Sequence, residues 1–186
     1  AYITDSGLGA ILVVDLATGR SRRLLEDHPS THSEEMTLVV EEKPWIGADG
    51  SPRRVHSDGI ALDGRNHLLY FQALTGRTLY RIDTRILRDA SLKDLEVAAG
   101  VERVGETGAA DGIAFARDGS IVLTSLEHNA VRRWTRRGVI ETVCQDPRLK
   151  WPDSVAIAGD GTIYVTTSQI HLGGTREDPY FLFKIE

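Results

Sequence analysis

Apolar residues fall in short runs, many of them alternating with polar ones and most closed by a glycine-bearing turn, which is the pattern of half-buried β-strands. Leu68-Leu69-Tyr70-Phe71, Ile121-Val122-Leu123-Thr124 and Ile163-Tyr164-Val165-Thr166 are such runs. Each follows a turn signal, Asp63-Gly64, Asp118-Gly119 or Asp160-Gly161, and each turn follows a small-residue run. Those small-residue runs align as Ser57-Asp58-Gly59-Ile60-Ala61, Ala110-Asp111-Gly112-Ile113-Ala114 and Pro152-Asp153-Ser154-Val155-Ala156. Asp-Gly between apolar runs marks a hairpin, because glycine accepts positive φ without steric cost.

A third strand follows in each unit, over residues 78–83, 130–135 and 181–186, and a fourth over 95–104 and 139–143. The amino-terminal stretch enters the same frame at its second strand, with residues 1–4, 10–15 and 21–25 as second, third and fourth strands. A four-stranded meander repeated in this way is the signature of a β-propeller blade. The fold class predicted is therefore all-β, a partial β-propeller of about three to three and a half blades. A β-sandwich has similar turns but no reason to repeat Asp-Gly-Ile-Ala in register. The expected division is a partial blade over 1–25, an inserted loop over 26–54, blades over 55–106 and 107–146, and a partial blade over 147–186.

Two segments interrupt the repeat. Residues 26–54 carry His28 and His32, spaced as metal ligands on a helix would be, but Pro29 lies between them and the run is polar, so a surface loop is expected. Residues 83–95 read as one or two short helical turns, and both segments are expected on one propeller face. Open strand edges at both ends call for completion, either by further blades of a longer parent or by a second copy, a homodimer closing the ring. The chain starts at Ala1 inside a strand-like run, so processing or truncation is expected to have removed what came first.

Composition narrows the partners. With 22 basic and 27 acidic residues the net charge is −5, so no nucleic-acid partner is expected. The densest basic run, Arg132, Arg133, Arg136 and Arg137 beside Trp134, reads as a solvated outer strand and turn. No apolar run reaches membrane-spanning length, so no membrane partner is expected. Cys144, the single cysteine, excludes an intrachain disulfide and reads as a small buried apolar residue.

Candidate chemistry gathers where the innermost strands begin. Asp58, Asp111 and Asp153 are expected to ring one channel mouth, where converging carboxylates need a cation, arginines or N–H groups. The plainer reading has each Asp capping its own turn. A second polar ring lies fourteen residues on, at Gln72, Ser125 and Thr167, with Ser168 beside it and Asp5 matching in the first blade. A polar ring with few charges suits a small polar or cationic molecule.

The chain resembles the major royal jelly/yellow protein family in its bacterial form. The resemblance rests on the runs 1–7, 57–61, 69–74, 78–82, 110–115, 124–131 and 164–171, and above all on Gln145-Asp146-Pro147-Arg148-Leu149-Lys150-Trp151-Pro152-Asp153, which generic propellers lack. It implies a six-bladed ring in proteins about twice this length, with this chain as the carboxy-terminal half, and an extracellular or periplasmic setting. It departs from the family in lacking the amino-terminal blades and in a short loop after His171. The preferred reading is a non-enzymatic binding protein with no cofactor. Lactonase-type propellers share the repeat and supply the alternative, in which a divalent cation such as calcium is held with Asp153 among its ligands and polarises a carbonyl. Against it, Thr124-Ser125 replaces the Asn-Gly expected at the middle ligand.

Overall fold

The computed structural model describes residues 1–173 and 179–185. The predicted Glu186 end of the last strand, and most of the loop after His171, lie outside them. The first sheet has three antiparallel strands, β1 (Tyr2–Asp5), β2 (Ala10–Val14) and β3 (Ser21–Leu24). A two-stranded hairpin follows, β4 (Val39–Val40) and β5 (Lys43–Pro44). The next sheet runs β6 (Ser57–Asp63), β7 (Leu68–Ala73), β8 (Thr78–Asp83) and β9 (Glu102–Glu106). Between β8 and β9 lie α1 (Thr84–Arg88) and α2 (Asp94–Ala99). A second four-stranded sheet contains β10 (Ile113–Phe115), β11 (Ile121–Ser125), β12 (Ala130–Trp134) and β13 (Ile140–Gln145). The last sheet has β14 (Pro152–Ile157), β15 (Ile163–Thr167) and β16 (Leu182–Ile185). Each sheet is a sequential antiparallel meander, and β6 touches β1 and β10 while β10 touches β14. This is a β-propeller in part, with two complete blades between two three-stranded ones.

Ile60, Ile113 and Val155 occupy equivalent central positions, opposite Phe71, Leu123 and Val165 of the adjoining strands. The glycines in β6 and just before β10 have a steric cause. A Cβ on Gly59 would lie 3.0 Å from the Asp111 carbonyl oxygen, and one on Gly112 would overlap the Asp153 carbonyl oxygen and approach Val155 N to 3.0 Å. Glycine is placed here because the next blade's backbone packs directly on it.

The hairpins at Gly119 (φ +85°) and Gly161 (φ +94°) use left-handed glycines. Asp118 and Asp160 carboxylates there accept the N–H of Ser120 and Thr162 at 2.9 and 3.0 Å. The expected Gly64 turn is different: the left-handed residue is His67 (φ +59°), and Asp63 accepts from the N–H groups of Arg65 and Asn66. Here the strands pair up to Asp63 and Leu68, leaving residues 64–67 as the turn, with positive φ at its end.

The fourth strand of the second blade is shorter than expected. Leu95 lies in α2, whose Glu96 carboxylate accepts the Lys93 N–H at 2.9 Å while Asp94 and Glu96 face the positive end of the helix. Buried Leu87 and Val97 seat α1 and α2 on Ile82, Leu69 and Ile11. Strand β8 pairs Asp83 with Leu68, so these helices leave the blade at the Asp63–Leu68 end. The insertion meets the other end, where Ser57 pairs with Ala73. The two segments thus lie on opposite faces and not on one, because strands three and four join at the end opposite to the link between blades.

The insertion is not simply a surface loop. Leu38 and Val40, both 1% exposed, pack with Leu74, Ala109, Leu126 and Trp151, and Met36 and Trp45 extend the cluster. His28 is not helical; its Nδ1 meets Ser30 Oγ at 2.7 Å, while His32 packs on His56 with ring centroids 4.6 Å apart. Cys144 is free and half-buried, packed at the edge of the Val122–Val131–Leu149 cluster.

Candidate functional site at the blade junctions

The register of the innermost strands slips just where the aspartates lie. In β6 the ladder steps from Ser57↔Ala73 to Gly59↔Gln72, leaving Asp58 as the extra residue, and in β14 it steps from Pro152 to Val155 across Asp153 and Ser154. Such bulges re-aim a side chain away from the ladder. Asp111 lies two residues before the start of β10, with its own N–H and that of Gly112 donating to Thr124 Oγ1 at 3.1 and 3.0 Å. Thr166 does the same for Ser154 N at 3.2 Å. Thr4, the matching residue of the first sheet, instead donates its hydroxyl to the Asp58 carbonyl at 2.7 Å and ties two blades together.

The three carboxylates are brought close enough to sense one another. Burial pushes the Asp111 carboxyl up to about 7, with the Asp153 charge adding to it and Asp58 contributing less. Asp58 is raised by burial and then by the Asp153 charge. Self-capping is not what these carboxylates do. Asp111 Oδ2 accepts the Trp151 indole N–H at 2.7 Å, a bond that opposes the upward shift, and Asp153 Oδ1 accepts the Ser154 hydroxyl at 2.9 Å. Asp58 takes no side-chain hydrogen bond from the described residues.

Trp151 lies in the 145–153 run that carries most of the family resemblance. It is fully buried, left-handed at φ +48°, stacked on His171 at 5.7 Å and met edge-on by Trp45 at 4.8 Å. His171 Nε2 in turn lies 2.9 Å from Glu41 Oε2, so the insertion clamps both rings. The signal for Trp151 was its place two residues before Asp153 in the most family-like run.

The second polar ring lies inside the blades. Gln72 is 0% exposed; its amide donates to the carbonyls of Gly108 and Gly76 at 2.7 and 3.2 Å, and its oxygen accepts from Thr107 at 2.8 Å. Ser125 Oγ meets His128 Nδ1 at 3.1 Å, and Thr167 Oγ1 accepts the Phe181 N–H at 2.9 Å. Asp5 pairs with Arg23 at 2.5 Å and accepts from Gly7 and Leu8. Ser168 is set apart, since its buried hydroxyl has no hydrogen-bond partner among the described residues. Two glutamates meet at Arg77: Glu34 accepts the N–H groups of Arg77 and Thr78, both at 3.0 Å, and Glu127 takes the Arg77 guanidinium at 2.8 Å.

Among the described residues no three His, Cys, Asp or Glu side chains converge to hold a metal ion. A divalent cation at Asp153 would draw its remaining ligands from backbone or amide oxygens and water.

Comparison with solved structures returns propellers at low identity. The gluconolactonase of Xanthomonas campestris matches with a TM-score of 0.58 and 14% identity, covering 100% of this chain and 58% of that one. The hydrazine synthase of Kuenenia stuttgartiensis matches at 0.56 and 13%, covering 91% and 39%. The PQQ-bound aldose sugar dehydrogenase of Streptomyces coelicolor matches at 0.56 and 16%, covering 89% and 52%. The chain thus spans well under two thirds of each, and at these identities the likeness concerns the fold alone. Comparison with curated proteins gives no match. The family model for major royal jelly proteins matches residues 1–177, and the chain belongs to that family.

Proposed function

We propose that the chain contributes a binding site for a small polar or cationic ligand at the mouth formed by Asp58, Asp111 and Asp153. The observation that supports this most is electrostatic: burial and mutual repulsion raise Asp111 and Asp58. Carboxylates held together at such a cost are relieved by a cation, which favours their charged forms. An ammonium group is the fitting class, since the mouth offers carboxylate acceptors and no converging metal set among the described residues.

Calorimetric titration with choline and phenethylamine tests the reading. Saturable binding that D58N and D153N each weaken is the expected result. Absence of saturable heat above neutral pH would sink it, as would equal affinity in the variants. Turnover of a sugar lactone that needs a divalent cation and disappears in D153A would replace it with a hydrolytic reading.

A further inference from the structure

On the face opposite the aspartates, the two complete blades enclose a groove of about 700 Å³. Six arginines line it: Arg65 in the β6–β7 turn, Arg81 and Arg103 on β8 and β9, Arg117 beside the β10–β11 turn, and Arg136 and Arg137 in the β12–β13 turn. Asp63 is the one carboxylate among the lining residues, and no lysine is. This convergence runs against the chain's net charge of −5.

The positive side chains are only partly neutralised. Arg81 pairs with Glu102 at 2.7 Å and Arg103 with exposed Glu106 at 3.1 Å, while Arg117 donates to the Gly159 carbonyl at 2.6 Å. Arg65, Arg136 and Arg137 take no carboxylate partner among the described residues. The walls are aromatic. Tyr70 and Phe115, one from each blade, stack at 5.7 Å with 19° between their planes, and Trp134 lies so close over Gly105 that a Cβ there would sit 2.5 Å from its ring. Gly119 likewise leaves room for the Arg136 stem, whose Cδ would be 2.8 Å from an added Cβ.

A merely solvated propeller rim would treat successive grooves alike. The neighbouring groove, between the blades of β10–β13 and β14–β16, is lined by Arg117 and Arg133 against Asp118 and Asp160, a balanced set. The arginines therefore gather at one junction of a repeated architecture. Both blades of that junction are complete, so strands missing from the three-stranded sheets leave it intact.

We propose that this groove is a second binding site, for a small ring compound bearing a phosphate or sulfate group. Guanidinium forks match the tetrahedral oxyanion of either ester with paired hydrogen bonds, and several forks around one volume strengthen the attraction. The volume lies in the range of small-molecule sites, and the Tyr70–Phe115–Trp134 wall supplies a surface for a planar ring. The site is independent of the aspartate mouth and does not rest on the proposed function.

The test uses the intact chain with 4-nitrophenyl phosphate, 4-nitrophenyl sulfate and the neutral 4-nitrobenzyl alcohol. Of the three indole N–H resonances, that of Trp134 is expected to shift on titration with the esters while those of Trp45 and Trp151 hold still. R136Q/R137Q, in an exposed turn, is expected to weaken binding about tenfold or more, and the charge-matched R22Q/R148Q to leave it unchanged. A larger response to the phosphate identifies a dianion site, and equal responses identify a site for either ester. Shifts confined to Trp45 or Trp151, equal loss in both double variants, or equal binding of the alcohol would each overturn the proposal.

Discussion

Trp151 donates its indole N–H to Asp111 across a blade junction, at 2.7 Å and 40 residues of separation. The bond joins the most family-like run of the chain to the aspartate whose carboxyl is the most perturbed toward neutrality. It is also the one contact that resists that perturbation; burial, Asp153 and Asp58 all push the other way. W151F removes the donor and keeps most of the ring. The expected outcome is a further rise of the Asp111 carboxyl above about 7, read by carbon-detected NMR titration of labelled aspartate. An unchanged or lowered midpoint would separate the two residues energetically.

Asp111 also sets a pH dependence of stability. Its folded value, about 7, lies above the unperturbed 3.8. The folded state keeps a proton that the unfolded chain releases, so this contribution is full below about 3.8 and is lost as pH rises through about 7. D111N stays neutral throughout and retains an acceptor for Trp151. It is expected to flatten the decline and to exceed the wild type above neutrality by an amount on the order of a few kcal/mol. Urea unfolding across the pH range gives the comparison; curves that stay parallel would refute it. The same titration makes cation binding at the mouth strengthen with pH through about 7 and release protons, provided that the proposed ligand binds there.

The glycines of the repeat give a graded series. G112A drives a Cβ into the Asp153 carbonyl and to 3.0 Å from Val155 N, and neither backbone group can swing aside. G59A places its Cβ 3.0 Å from one carbonyl and 3.3 Å from the Ile113 side chain, which yields more readily. G64A meets nothing within 4 Å and has no left-handed φ to protect. The expected order of destabilisation is G112A, then G59A, then G64A, with about 2–4 kcal/mol for the first and at most about 0.5 kcal/mol for the last. Thermal melts of the three variants decide it, and a reversed order would mean that the blades do not meet as described.

Glu34 fastens the insertion to the start of β8 through two backbone N–H groups, both at 3.0 Å. E34A leaves those groups without their charged acceptor, a loss of about 1–3 kcal/mol. The loss falls on residues 26–54 first, because the blades retain their own ladders. Proteolysis within that segment is expected to accelerate while the global melting curve moves little. Cleavage no faster than in the wild type would show that the Leu38–Trp151 packing holds the segment by itself.

Much of the blade order was legible because its cause is local and repeated. Asp-Gly marks hairpins, and Gly59 and Gly112 recur because the same backbone approach recurs at each junction. What the sequence hid is non-local. Nothing in the repeat says that Trp151 reaches back to Asp111, since the partner belongs to the preceding blade. The insertion's apolar positions, Met36, Leu38 and Val40, alternate too briefly to stand out from a polar run, yet they bury against four loops. Residues 95–97 misled in the opposite sense: Leu95 and Val97 alternate as in a strand, but Asp94, Glu96, Ala98 and Ala99 favour a helix with an acidic first turn. The polar ring at Gln72, Ser125 and Thr167 was found by register, and register alone cannot tell a group facing a channel from one bonded inside its blade.

The histidines beside the insertion act in the opposite direction to Asp111. His28 and His56 are both lowered from 6.5, first by burial and then by the neighbouring His32 charge; Arg54 lowers His56 further and Asp5 opposes it. For a base with a depressed folded value, the unfolded chain takes up protons first. The stability it contributes is present above 6.5 and is lost as pH falls through the lower, folded value. In the wild type this acid-side loss overlaps the gain from protonating Asp111, and the two partly cancel. A D111N background removes the aspartate contribution and should reveal a decline in stability on acidification below 6.5. Adding H56N keeps an acceptor for the Ser33 N–H, which His56 Nδ1 now takes at 2.9 Å, and removes one of the titrating rings. The decline should then become shallower, with the stability above 6.5 changed little. Urea midpoints of the two variants, measured over the same pH series, supply the comparison. Superimposable curves would show that the His32–His56 contact carries no proton linkage.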